Sequence, residues 1–287
     1  MYIWARFFAL SMPHQTPAAP PLGTLVALGG GDDDAMLALL CDLLPSPATA
    51  VEIVTVASRD DTRSGRAYER ALRELGCTGA RHLRISEQHP ADAPDTLRRL
   101  RHAGLVFFSG GDQERITDFL HHTEFARVLH ERYYHDATFI IAGTSAGAAV
   151  LPEYMIVDGH GWRALRKGGM QTSAGLGLLP QLLIDQHFVE RGRFGRLAHA
   201  LLAHPMCLGL GLAEETGIII RGGTEAEVFG DGVVMVVDGR QLQGNNLGRI
   251  GRGEPVSGQD LRVHLLVAGQ RLQLQNRRVI GEEPDTR

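Results

Sequence analysis

Short apolar runs alternate with stretches of helical spacing through the first half of the chain. TLVALGG starts at Thr24, VEIVTVAS at Val51, LVFFSGG at Leu105 and FIIAGTSAG at Phe139. Each has the length and the β-branched or aromatic content of a buried strand. Helical patterns fall between them, from about Asp34, from about Thr62 to Leu75, after Gln113, and again after GTSAG. This rhythm predicts an α/β fold with a mostly parallel sheet flanked by helices, and reactive loops gathered at the carboxyl ends of its strands. Beyond about Gly217 the pattern changes to GIIIRG, AEVFG, DGVVMVVDG and RVHLLVAGQRLQLQ, which predicts antiparallel strands joined by Gly-containing turns, without helices. The expected organisation is a disordered leader over 1–22, an α/β domain over 23–238, a C-terminal β extension over 239–280 packed on the same domain, and a polar tail over 281–287.

Composition narrows the classes of function. The 287 residues are 44% hydrophobic and 22% charged, which is ordinary for a globular protein able to bury a large core. A net charge of −4, from 29 basic and 33 acidic residues, leaves no electrostatic footprint for nucleic acid, and no polybasic run suggests a membrane surface. The expected partner is a small molecule or a peptide. Cys41, Cys77 and Cys207 are odd in number and include no CxxC pair, so neither a disulfide framework nor a zinc knuckle is expected, and a reducing cytoplasm fits. The opening MYIWARFFALSM is interrupted by Arg6 and lacks a clean cleavage site, so it reads as a frayed leader, not a signal.

Three predicted strands end in glycines, at GGGDDD, SGGDQ and GTSAG. One such run is ordinary turn chemistry; three at one edge of a sheet favour a site. GTSAG fits GxSxG, whose small flanking residues permit the sharp strand-to-helix turn that projects a serine hydroxyl. Ser145 is therefore the candidate nucleophile. The amide of Ala146 and one from the Gly110/Gly111 turn, Gly111 in particular, are candidates for oxyanion stabilisation.

A serine nucleophile needs a base. Among thirteen histidines, His121, His122, His130, His199 and His204 sit on helical stretches and read as solvated surface groups. His187 differs because it closes the apolar run LLIDQH and precedes the basic segment ERGRFGRL, read as a helix. An orienting carboxylate could come from Glu214 or Glu215, which lie between two apolar strands. The order Ser, His, Glu differs from that of an α/β-hydrolase. Arg191, Arg193 and Arg196 follow the candidate base, and guanidiniums there would suit carboxylates on a substrate. Gln113 could hydrogen-bond that substrate from the opposite wall.

Taken together, GGGDDD, VASRD, SGGDQ, AGTSAGAAV, GLGLLP, IDQHFVERGRFGRL and GLGLAEETG make the chain, from about Leu25 to about Val237, resemble the cyanophycinases, serine exopeptidases of the peptidase E-like group in peptidase family S51. The resemblance implies a class I glutamine amidotransferase-like, flavodoxin-like sheet and a triad of Ser145, His187 and Glu214. It implies that Gln113, Asp185, Arg191, Arg193 and Arg196 line the substrate cleft. The implied substrate is cyanophycin, a polyaspartate bearing arginine on each side-chain carboxyl, and the implied product is the β-aspartyl-arginine dipeptide. No metal or other cofactor is implied; a homodimer is. Ala213 stands where the family usually has Asp, and Glu215 where a second Asp is frequent. Arg163, Arg166 and Lys167, in a stretch from Pro152 to Gly175 that does not align, would repel a substrate arginine if they faced the cleft. Competing readings are a dipeptidase for α- or isoaspartyl peptides, an inactive homologue that binds the polymer, and a phosphate-binding protein in which GGGDDD holds the phosphate and Asp32 to Asp34 hold a metal.

Overall fold

A computed structural model describes residues 19–31 and 34–280. Most of the expected leader, the tail, and Asp32 and Asp33 lie outside the described residues. The elements are, in chain order, β1 (Thr24–Leu28), α1 (Asp34–Asp42), β2 (Val51–Val54), α2 (Asp61–Glu74), β3 (Ala80–His82), α3 (Pro94–His102), β4 (Leu105–Phe108), α4 (Gln113–Leu120), α5 (Glu124–His135), β5 (Ile140–Thr144) and α6 (Ala146–Ala149). They continue with β6 (Tyr154–Gly159), a 3-10 turn (Gly161–Leu165), β7 (Met170–Ala174), β8 (Leu182–Asp185), α7 (Phe194–Ala203), β9 (Leu208–Leu212), β10 (Thr216–Arg221), β11 (Glu225–Gly230), β12 (Val234–Asp238), β13 (Arg262–Leu266), β14 (Arg271–Gln273) and β15 (Arg278–Ile280).

The α/β architecture is the expected one. Strands β1, β5, β4, β2 and β3 run parallel, in that spatial order. Antiparallel pairing then carries the same sheet outward from β1 through β10, β11, β14 and β15. β1 shows why its apolar run has no polar alternation. Leu25 and Ala27 enter a core shared with α3, α4 and α5, whereas Val26 and Leu28 enter a second core with α1 and α2. Both faces are covered, so every position from Leu25 to Leu28 is apolar.

The chain does not put all its strands in one sheet. β8 and β9 pair in parallel, and β12 and β13 continue antiparallel from β9, forming a separate four-stranded sheet. In LGLGL the two sides of β9 have different tasks. Leu208, Leu210 and Leu212 enter the large core, while Gly209 and Gly211 lie where a Cβ would stand 2.9 Å from Leu197 Cδ1 and 2.4 Å from Phe188 Cδ1. The glycine side thus lets α7 and Phe188 pack close to the strand. The region from 239 to 280 is divided accordingly: β13 pairs with β12, and β14 with β11.

The cysteine expectation is corrected. Cys41 at the end of α1 and Cys77 after α2 form a disulfide, 36 residues apart in sequence, and Cys207 is free and buried. A spacing rule sees only neighbours in sequence; these two meet because α1 and α2 pack on the same face of the sheet.

Candidate active site

Ser145 sits in the turn between β5 and α6 with φ 52° and ψ −116°, a region that a residue with a Cβ occupies only when its surroundings impose it. Its amide donates to the Leu28 carbonyl at 3.0 Å, tying the turn to the end of β1. The flanking glycines are required sterically. A Cβ on Gly143 would stand 2.2 Å from the Gly147 carbonyl oxygen, and one on Gly147 would stand 2.1 Å from that of Phe108.

His187 follows β8, and its backbone is also strained, with φ 48°. Its amide donates to the Gly29 carbonyl at 2.9 Å, and the next amide, of Phe188, donates to Leu212 at 3.0 Å. The buried Phe188 ring packs against Gly211 of β9 and anchors this segment. Glu214 lies in the short link from β9 to β10, where Glu215 takes φ 51° and donates its amide to the Gly30 carbonyl at 2.8 Å.

These three loop ends meet. Ser145 Oγ lies 2.8 Å from His187 Nε2, and His187 Nδ1 lies 2.5 Å from Glu214 Oε1. A carboxylate only accepts, so Nδ1 is the donor; Nε2 is then left as acceptor for the serine hydroxyl. The His187 side chain is 12% exposed and that of Glu214 35%, so the imidazole is shielded while the series opens to solvent at one end. The arrangement can deprotonate a hydroxyl as it attacks a carbonyl.

The glycine run after β1 serves this series, a role that sequence reading missed. A Cβ on Gly30 would stand 2.4 Å from His187 Cε1, and one on Gly31 would stand 2.9 Å from Glu214 Cβ. The signal was three consecutive glycines where a turn needs one or two. Across the site, a Cβ on Gly110 would be 3.2 Å from Ser145 Cβ, and Gly111 adopts φ 141°, where a Cβ would stand 2.3 Å from the Ala57 carbonyl oxygen. Ala146 opens α6 and is fully buried.

The other expected cleft residues are placed unequally. Asp185, at the end of β8, is 1% exposed and receives the Arg196 guanidinium through two hydrogen bonds, with Arg193 Nη1 at 3.4 Å. Arg193 also donates to the Gln186 carbonyl. Burial pulls the Arg193 guanidinium down to about 10, with Asp185 acting the other way. Gln186 is itself buried, and its Oε1 has no hydrogen-bond partner among the described residues. Arg191 is exposed. Gln113 Nε2 donates to the Ile156 carbonyl on β6 at 2.6 Å.

Two local expectations are corrected. The segment after His187 turns without helix until Phe194, so Arg191 and Arg193 precede α7. His199 is not a surface group: it is 4% exposed, with Nδ1 2.6 Å from the Ala164 carbonyl. His204 is half-buried and stacks on Tyr154, and His121 Nε2 lies 2.8 Å from the Gly175 carbonyl. Burial pushes the His204 imidazole below its ordinary range. Ala213 is buried, with its Cβ toward Gly232.

The model of peptidase family S51 matches residues 25–228. The chain is 32% identical over 276 residues to the cyanophycinase of Trichormus variabilis, covering 95% of this chain and 92% of that one. It is 33% identical over 261 residues to the cyanophycinase of Synechococcus elongatus, covering 90% and 81%. Among solved structures, a peptidase from an acI-B1 Actinobacterium shares the fold, with a TM-score of 0.64, 21% identity, and coverage of 89% of this chain and 98% of that one. The match runs from β1 through β11 and so takes in the glycine run, the serine turn, the β8 end and the β9–β10 link; the chain belongs to peptidase family S51.

Proposed function

We propose that this chain is a serine exopeptidase that hydrolyses cyanophycin to β-aspartyl-arginine dipeptides through an acyl-enzyme on Ser145. The observation that carries the chemistry is the unbroken series Ser145 Oγ, His187 Nε2, His187 Nδ1, Glu214 Oε1. The substrate comes from the relatives named as cyanophycinases, which match over nearly the whole chain.

In this reading His187 Nε2 takes the proton from Ser145 Oγ as that oxygen attacks the scissile carbonyl. Glu214 holds the Nδ1–H and stabilises the imidazolium. The tetrahedral oxyanion rests on the amides of Gly111 and Ala146. His187 then returns its proton to the leaving amine, and water releases the acyl group by the same base. Gln113, Asp185, Arg191, Arg193 and Arg196 form the substrate wall in two layers. The exposed Arg191 is the one open to a carboxylate, while Arg193 and Arg196 act through Asp185 by holding the backbone that leads to His187.

The test is Ser145→Ala, assayed for dipeptide release from cyanophycin. Turnover is expected to fall by about 10⁴-fold or more, with sedimentation on polymer granules unchanged; retained turnover would sink the assignment. A cytoplasmic location and a homodimer belong to the same reading. Among the described residues no helix is long and apolar enough to cross a membrane. Light scattering of the purified chain reads the dimer. The state of Cys41 and Cys77 in intact cells bears on the location, because a reducing cytoplasm keeps such pairs as thiols.

A further inference from the structure

The run GHGWRALRKGG, from Gly159 to Gly169, has no part in the chemistry above and continues directly from β6, whose Ile156 carbonyl takes Gln113 Nε2. β6 crosses from the Gln113 side, where Ile156 accepts Gln113 Nε2, to Gly159, where a Cβ would stand 3.0 Å from Arg196 Cβ. The 3-10 turn that follows packs Leu165 against Gly195 at the start of α7.

The back of this turn is fixed from several directions. Ala164 accepts from His199 at 2.6 Å, Lys167 Nζ donates to the Leu247 and Ile250 carbonyls at 2.8 and 2.7 Å, and Arg166 Nη1 donates to Gly253 at 2.7 Å. Lys167 is thus committed inward. The front is open: Trp162 is 65% exposed. The Arg166 and Arg163 guanidinium carbons lie 5.0 and 5.8 Å from the Trp162 ring centroid, and neither arginine has a carboxylate partner among the described residues. A large indole held in water on a rigid support, with cations stacked on it, is costly as packing and suited to a ligand.

We infer that Trp162, Arg163 and Arg166 form a platform that holds polymer beyond the residue being cleaved and so sets the preference for polymer over short peptides. This rests on the cyanophycin reading. Each polymer unit carries one free carboxylate and one guanidinium. Stacking on the indole holds the Arg163 fork, and the part of the Arg166 fork that Gly253 leaves free, ready for the unit's carboxylate at little further entropic cost.

The experiment compares Trp162→Ala, Trp162→Phe and Arg163→Ala with the parent on cyanophycin and on a short β-aspartyl-arginine oligomer, together with granule sedimentation. For Trp162→Ala, KM on the polymer is expected to rise by about fivefold to tenfold, the loss of one or two stacked cations. kcat on the oligomer stays at the parent value, and Trp162→Phe recovers most of the loss. Unchanged polymer KM and sedimentation in both alanine variants overturn the platform, as does an equal loss on polymer and oligomer. A parent enzyme that leaves cyanophycin uncleaved overturns the functional reading instead; granule binding that still depends on Trp162 would then leave the platform standing.

Discussion

Gly30 is occupied by glycine because of the imidazole beside it. Its φ of 91° disfavours any side chain, and a Cβ would reach within 2.4 Å of His187 Cε1. Gly30→Ala is expected to push the ring out of line with Ser145. Activity should fall by about 10²-fold, the usual result of misplacing a reacting group by an ångström. Steady-state kinetics beside a thermal melt checks this; a loss of stability with kcat intact would refute it. The residue scale was partly legible. GTSAG announced its turn because the steric demands there fall on adjacent residues. GGGDDD announced only a turn, since what those glycines make room for comes from residues more than 150 positions later.

At the scale of elements, the end of β8 organises the site through charge buried behind it. Asp185 is 1% exposed and balances Arg196 at 4% and Arg193 at 8%. Asp185→Asn would leave two guanidiniums buried without their anion, at a cost of about 3–5 kcal/mol. Urea denaturation is expected to show that loss, and a midpoint equal to the parent's would refute the account. The sequence suggested a basic first turn of a helix open to substrate. In the fold, two of those three arginines turn inward because the carboxylate of Asp185 waits two residues before His187. The strands themselves were readable from apolar runs, but β8 and β9 were not separable from the first sheet by pattern, since buried parallel strands look alike wherever they pair.

Across the whole molecule, the nine-stranded and four-stranded sheets, the larger two of the three among the described residues, are joined at their antiparallel ends. Asp238, closing β12, receives the guanidinium of Arg277, which lies between β14 and β15 and donates also to the Met206 carbonyl. Burial acts to raise the Asp238 carboxyl, but the Arg240 amide and the guanidiniums of Arg240 and Arg277 outweigh it and hold the group below the usual carboxylate range. A folded value below the unfolded one of about 3.9 means that the contribution is complete above that pH and is lost as pH falls through the folded value. The parent is therefore expected to lose urea stability between about pH 5 and pH 2. Asp238→Asn should be less stable near neutrality and lose less on acidification; an identical pH profile for the two would refute this.

By itself the sequence determined the strand and helix rhythm, the serine turn and the class of the fold, because period and turn chemistry are properties of neighbouring residues. The tertiary structure decided which of thirteen histidines faces Ser145 across 42 positions, and which of two adjacent glutamates reaches His187 across 27. It also decided that Cys41 meets Cys77 and that Arg193 and Arg196 turn inward. Those outcomes depend on how strands are ordered and helices packed, which no local pattern encodes.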